Sequence, residues 1–217
     1  NRSQPTLVEV GCAVGRSQRT LSLTVYATLT ATPLILIGSF WGTLYFQLQG
    51  QSQLKAASFV SVLWITNALA SPILGALSDR MHASQVLMII LAVLGLVMGG
   101  LLVSPASNYL IIGTTAIMGL AIAAVGRLLA SAEIATLYPK SMQATVLGMT
   151  NSFLMITGAL IATAVGYAIE WRNAQDPGAI LTHYREVLMI IPLLHTLALS
   201  IAWLQLKRPG FLEGKHD

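Results

Sequence analysis

Between Tyr109 and Ala132 the chain carries a single charge, Arg127, in "YLIIGTTAIMGLAIAAVGRLLASA". Stepping by four residues, Thr115, Gly119, Ala123, Arg127 and Ser131 fall on one stripe of a helix, small and polar, which would leave space beside the guanidinium. An Arg inside a membrane span costs roughly 2.5 kcal/mol or more unless it faces a cavity or a partner. The chemistry open to it is coordination of an anion or coupling to a proton carrier. A buried structural ion pair is the alternative, and the sequence is compatible with either. Glu133 is the nearest acid in sequence, as a possible ion-pair or coupling partner, but six residues of helix put it about 120° around the axis, so no direct bond to Arg127 is expected. Asn151 lies about as far into the following apolar stretch as Arg127 does into its own, so the two can face one compartment.

A second constellation is "SPILGALSDRM", residues 71 to 81, where Gly75, Asp79 and Arg80 close an apolar run. Asp79 is expected at the start of a tight turn, near helix N-terminal N–H groups that favour an acid, with Gly75 permitting close backbone approach just before it. Nucleophile–base pairs, catalytic carboxylate pairs at one depth and metal-ligand clusters are missing from the sequence, so an enzyme, a cofactor and a metal are not expected.

The elements that must hold these groups follow from composition. Of 217 residues 55% are hydrophobic and 9% charged, with a mean hydropathy of +0.72, far from the quarter charged of soluble domains. The chain reads as an all-α membrane protein. Its apolar stretches, about 21–46, 57–77, 86–103, 109–132, 145–169 and 187–206, are each close to the ~20 residues that cross ~30 Å of hydrocarbon as a helix. They are too long and too continuously apolar for barrel strands.

Basic residues orient the spans. Arg2, Arg16, Arg19, Arg80, Lys140, Lys207, Arg208 and Lys215 fall on one side, and Lys55, Arg172 and Arg185 on the other, so both ends are expected in the cytoplasm. The net charge of +4 reflects that bias and is no argument for nucleic acid. Cys12, the one cysteine, excludes a disulfide within the chain. "PTLVEVGCAVGRSQRTL" reads as a helix on the membrane surface or as a connecting loop, and with no initiator Met or signal-peptide pattern the chain is expected to start in the middle of something.

Polarity separates the spans. Span three has no polar side chain around its circumference and reads as an outer helix, with span six, which carries His195 and Pro192, placed outside as well. Spans one, two, four and five carry Thr28, Thr30, Thr32 and Ser39, then Ser61, Thr66, Asn67 and Ser71, then Arg127, then Thr150, Asn151 and Thr157, and would line an interior. Trp64, Asn67 and Ser71 share a face. Asn67 suits an interhelical hydrogen bond as well as a ligand, Tyr45 reads as an interfacial anchor, and His195 as a packed residue. Gly95, Gly99, Gly158, Ala162 and Gly166 suit close helix packing.

Gly75, Asp79 and Arg80 also match a loop motif of the major facilitator superfamily, although the motif's later Gly and basic residues are absent from "MHASQ". "GSFWGTLYFQLQGQSQLKAASFVSVLWITNALASPILGALSDR" resembles the seventh and eighth spans of a bacterial facilitator. "EIATLYPKSMQATVLGMTNSFLMITGALIATAVGYAIE" resembles the junction of the tenth and eleventh, Glu133 and Pro139 matching and Gln143 replacing the usual Arg, and "YREVLMIIPLL" is similar to the start of the twelfth. The resemblance covers Thr20 to Arg208. It implies that 1–20 is a cytoplasmic linker between halves, that 21–206 is a six-helix bundle forming the C-terminal half of a twelve-helix fold, and that 207–217 is a cytoplasmic tail. Its implied setting is the bacterial inner membrane, and its implied partners are the N-terminal six-helix half, the lipid bilayer and a small solute. The implied activity is alternating access. Arg127 would meet an anionic group of the substrate, with Asn151, Asn67 and Trp41 as cavity neighbours, and Gly75, Asp79 and Arg80 would act as a gate. A non-transporting membrane sensor and a six-helix homodimeric channel are the other readings of the same bundle.

Overall fold

The computed structural model describes residues 6–81, 84–104 and 109–206, with the side chains of Met81, residues 109–113 and Leu206 outside the description. Arg2 and the tail at 207–217 also lie outside the described residues. Among those described, the helices are α1 (Leu7–Arg16), α2 (Gln18–Ile35), α3 (Gly42–Leu48), α4 (Gln53–Met81), α5 (Ser84–Val103), α6 (Tyr109–Ala123), α7 (Gly126–Thr136), α8 (Lys140–Gln175), α9 (Ile180–Leu188) and α10 (Ile190–Leu206). A π-helical turn, Leu36–Trp41, joins α2 to α3, and a 3₁₀ turn, Pro177–Ala179, precedes α9. Together these make six stretches long and apolar enough to cross a membrane: Gln18–Leu48, Gln53–Arg80, Ser84–Val103, Thr114–Thr136, Lys140–Gln175 and Pro177–Gln205.

Helix α1 starts on a capping box. The Glu9 N–H donates to Thr6 Oγ1 at 3.3 Å and the Thr6 N–H donates to Glu9 Oε2 at 2.8 Å. Those bonds, the backbone one foremost, hold the Glu9 carboxyl below its usual range. The helix buries Val10 against α2 and α8 and leaves Leu7 and Val8 exposed.

α2 is the centre of the bundle, packed on α7, α8 and α10. Its threonines do not line an open interior as expected from their polarity. Thr24, Thr28, Thr30 and Thr32 are buried, and their hydroxyls donate to carbonyls four residues back in α2 itself. Span three keeps one face outward, as expected of it, and packs the other on its neighbours. α5 lies between α6 and α10, burying Leu87, Met88, Leu91 and Ala92, while Ile90, Val93, Val97 and Leu101 form an exposed apolar face fit for lipid. Spans two and five are the least covered in this chain, at 17% and 28% buried against 72% and 61% for spans one and four. Ser61, Trp64, Asn151 and Ser152 are accordingly exposed.

Small residues set the close contacts. A Cβ on Gly95 would stand 1.9 Å from His195 Cδ2, so α5 and α10 meet through a ring laid on a glycine. His195 is fully buried, its Nδ1 3.0 Å from the Ile191 carbonyl oxygen. Tyr45 is not an interfacial anchor. It is fully buried, and its hydroxyl donates to the Leu102 carbonyl at 2.8 Å, which satisfies a group that could not be left dry and unpaired.

Two irregularities interrupt the spans. After Pro33 the helix widens, and the Gly42 N–H bonds the Ile37 carbonyl five residues back. The Gly38 carbonyl accepts the Trp64 indole N–H from α4 at 3.1 Å. Span four breaks at Ala124 and Val125, where the Val125, Arg127 and Leu128 N–H groups bond only three residues back, at 3.0, 3.3 and 2.8 Å. Gly126 opens α7 there, because Tyr26 fills the space beside it. A Cβ on Gly126 would lie 2.6 Å from the Tyr26 hydroxyl, which donates to the Met88 carbonyl at 2.7 Å. Gly126→Ala is expected to cost about 1–3 kcal/mol through overpacking and to lower the thermal-unfolding midpoint. Adding Tyr26→Phe should recover part of that loss. Two strictly additive losses would show that the hydroxyl is not the obstacle.

Candidate functional site

The break at Ala124–Val125 sets Arg127 on the first turn of α7, where its side chain faces α2 and α8. It lines a cavity of about 80 Å³ with Ala27 of α2, Leu128, Ser131 and Ile134 of α7, and Thr150, Asn151 and Leu154 of α8. Arg127 and Asn151 therefore meet at one cavity, α8 supplying the amide from the face that also carries Thr150. The Ser131 hydroxyl donates to the Arg127 carbonyl at 2.9 Å and the Thr150 hydroxyl to the Leu147 carbonyl at 3.0 Å, so neither proton is aimed at the guanidinium in this arrangement.

Arg127 is half-buried, and its Nε is buried without a hydrogen-bond partner among the described residues. No carboxylate of the described residues pairs with it or lines its cavity. The stripe expected to leave it room is only partly open. Gly119 is filled by Met98, whose Cγ would lie 2.2 Å from a Cβ there, and Ala123 is buried. The space beside the guanidinium lies instead toward α8.

Glu133 is engaged elsewhere, as the helical angle requires. Its Oε2 is 3.2 Å from Arg19 Nη2 at the start of α2, and its Oε1 accepts a hydrogen bond from the Ser84 hydroxyl at the start of α5. Three elements are thus tied at the end of the bundle where α1 sits. Asp79 is not at a helix N-terminus. α4 runs on through Met81, which puts Asp79 and Arg80, both exposed, in its last turn. Gly75 makes no close approach within this bundle, since nothing lies within 4 Å of where its Cβ would be.

The other two residues expected near Arg127 lie apart from its cavity. Asn67 is buried, and its side-chain amide donates to the Ala121 carbonyl at 2.7 Å, joining α4 to α6, while the Ser71 hydroxyl donates to the Asn67 carbonyl at 2.6 Å. Trp41 closes the π-helical turn toward the opposite end, edge-on to Tyr184 with ring centroids 6.2 Å apart. Sequence reasoning missed the Arg19 and Ser84 contacts of Glu133, the π turn and the break before Arg127. Pro33 and the Gly126–Arg127 pair were the local signals for the last two.

The model of one protein family, the Major Facilitator Superfamily, matches residues 6–209. The chain belongs to the major facilitator superfamily. No curated protein and no solved structure matches it. Facilitators are multi-pass membrane transporters, and the six all-helical spans correspond to one six-helix half of that fold.

Within this facilitator the Glu133 junction is reinforced by neighbours. The Thr20 and Tyr138 hydroxyls are 2.8 Å apart, and Gln143 donates to the Ala135 and Tyr138 carbonyls at 2.8 and 3.1 Å, tying the start of α8 to the end of α7. Glu133 is 17% exposed and Arg19 36%, so the ion pair is screened and its loss should cost on the order of 1 kcal/mol. Glu133→Gln is expected to loosen the joint between α1 and α2 and to speed tryptic cleavage at Arg16 and Arg19. An unchanged cleavage rate would show that the pair does not hold that segment.

Proposed function

We propose that this chain is the C-terminal six-helix half of a secondary transporter that carries a small solute bearing an anionic group by alternating access. The observation that carries the reading is Arg127, a half-buried guanidinium with no counter-ion among the described residues, facing a cavity it shares with Asn151. A charge in that position is stabilised only by water or by an anion supplied from outside the bundle. The cavity holds about 80 Å³, room for two or three waters at ~30 Å³ each but not for a solute. A companion N-terminal bundle would complete the space, packing against the exposed and largely apolar faces of α4 and α8 and leaving the solute near the midplane between the halves.

In this scheme no covalent step occurs. Arg127 orients the anionic group, Asn151 supplies a neutral amide beside it, and rocking of the halves exposes the pair to each side in turn. Asn67 contributes indirectly, by fixing α4 on α6. Gly75, Asp79 and Arg80 sit on the exposed end of α4, where they would meet the other half and help close the cytoplasmic side, and the Arg19–Glu133–Ser84 junction braces α2, α5 and α7 behind them. Both ends of the segment lie in the cytoplasm on the distribution of basic residues.

The test is uptake by the full-length transporter in liposomes, with candidate organic anions first selected by thermal shift. Arg127→Ala is expected to lower uptake of the selected anion by at least tenfold at unchanged expression, and Arg127→Lys to restore a part, since a point charge without the guanidinium fork binds a carboxylate less well. Undiminished uptake by Arg127→Ala removes the residue from the mechanism.

A further inference from the structure

A second, open cleft lies at the end of the bundle remote from α1 and shares no lining residue with the Arg127 cavity. It measures about 780 Å³, within the range of sites for small organic ligands. One wall is a single face of α8 on which Thr163, Gly166, Tyr167, Glu170 and Asn173 recur at spacings of three and four residues, and the opposite wall carries Trp41 and Tyr184. Gly166 is what lets the walls meet. A Cβ there would lie 3.0 Å from Trp41 Cζ2, so the indole rests against the α8 backbone. Trp41 and Tyr184 stand at 73° to each other and form an aromatic corner, and Tyr167, 70% exposed, adds a third ring at the rim.

The charge of this cleft is opposite to that beside Arg127. Glu170 is the one charged residue in its lining. Its neighbour Arg172 is bonded to Glu186 rather than turned to Glu170. On the α8 wall the Asn173 side-chain oxygen is already 2.8 Å from His183 Nδ1 and the Thr163 hydroxyl donates to the Ala159 carbonyl at 2.9 Å, which leaves Glu170 as its dominant polar group. Aromatic faces with one carboxylate and little else suit a cation whose charge is spread over an alkylated nitrogen.

We infer that this cleft binds an organic cation, a quaternary or protonated amine, with the rings of Trp41 and Tyr167 beside the cationic head, the buried Tyr184 backing Trp41, and Glu170 as the counter-charge. The inference is independent of the anion reading, since the two cavities have no residue in common. It also gives Trp41 a role other than the one its expected place beside Arg127 implied.

The experiment is calorimetric titration of the full-length transporter in lipid nanodiscs with choline and, separately, with its uncharged tert-butyl isostere. Saturable binding of choline alone is expected. Glu170→Gln, at an exposed position where folding is not at stake, should weaken it roughly tenfold or more, and Trp41→Leu by a similar factor. Binding should survive Arg127→Ala, which separates this site from the transport reading. The inference is overturned if choline does not bind saturably, as it would not if the other half fills the cleft, if the isostere binds equally well, or if Glu170→Gln leaves the affinity unchanged.

Discussion

A guanidinium cannot be left dry and unpaired among apolar helices, and the rest of this bundle is arranged around that constraint. Arg127 has no carboxylate partner among the described residues, and its surroundings are a small cavity rather than a sealed contact. Glu133, the acid closest to it in sequence, is occupied by Arg19 and Ser84 at one end of the bundle. Spending the available acid on a structural joint leaves the deeper cation open to an external anion. The two groups are close in sequence but separated in role by the pitch of α7.

The position of Arg127 is set by packing that involves no charge at all. Tyr26 occupies the space that a Cβ on Gly126 would need, reaches the Met88 carbonyl, and so locks α2, α5 and α7 at the level where span four breaks. The same economy recurs elsewhere. Polar side chains that would be costly in lipid are satisfied by backbone carbonyls: the threonines of α2 by their own helix, Tyr45 by α5, Asn67 by α6 and Trp64 by the π turn. What remains for solute is the small set of groups not consumed in this way, Arg127 on α7 and Asn151 on the uncovered face of α8.

The spans and their helical nature were legible because hydrocarbon thickness imposes a length and a composition on each of them. Arg127 and Asn151 were legible as neighbours because depth along two helices can be counted. Burial of the polar residues was less readable. A threonine facing a cavity and one bonded to its own backbone have the same sequence signature, and an asparagine bonding the next helix resembles one awaiting a ligand. Asp79 misled because the apolar run ends at Leu77 while the hydrogen-bonded helix continues to Met81. The π turn at Leu36–Trp41, which carries Trp41 into a cleft of its own, depends on where Pro33 falls relative to α4, and periodicity holds no trace of that.

The central claim is that the Arg127 cavity opens to water in the assembled transporter. The direct measurement is the reaction of a membrane-impermeant thiol reagent with Asn151→Cys, in a full-length protein whose Cys12 is replaced by Ser. Labelling is expected at a rate near that of an exposed cysteine, slowed when the transported anion is present. A cysteine there that stays unlabelled in folded protein with solute absent, and reacts only after denaturation, would contradict it.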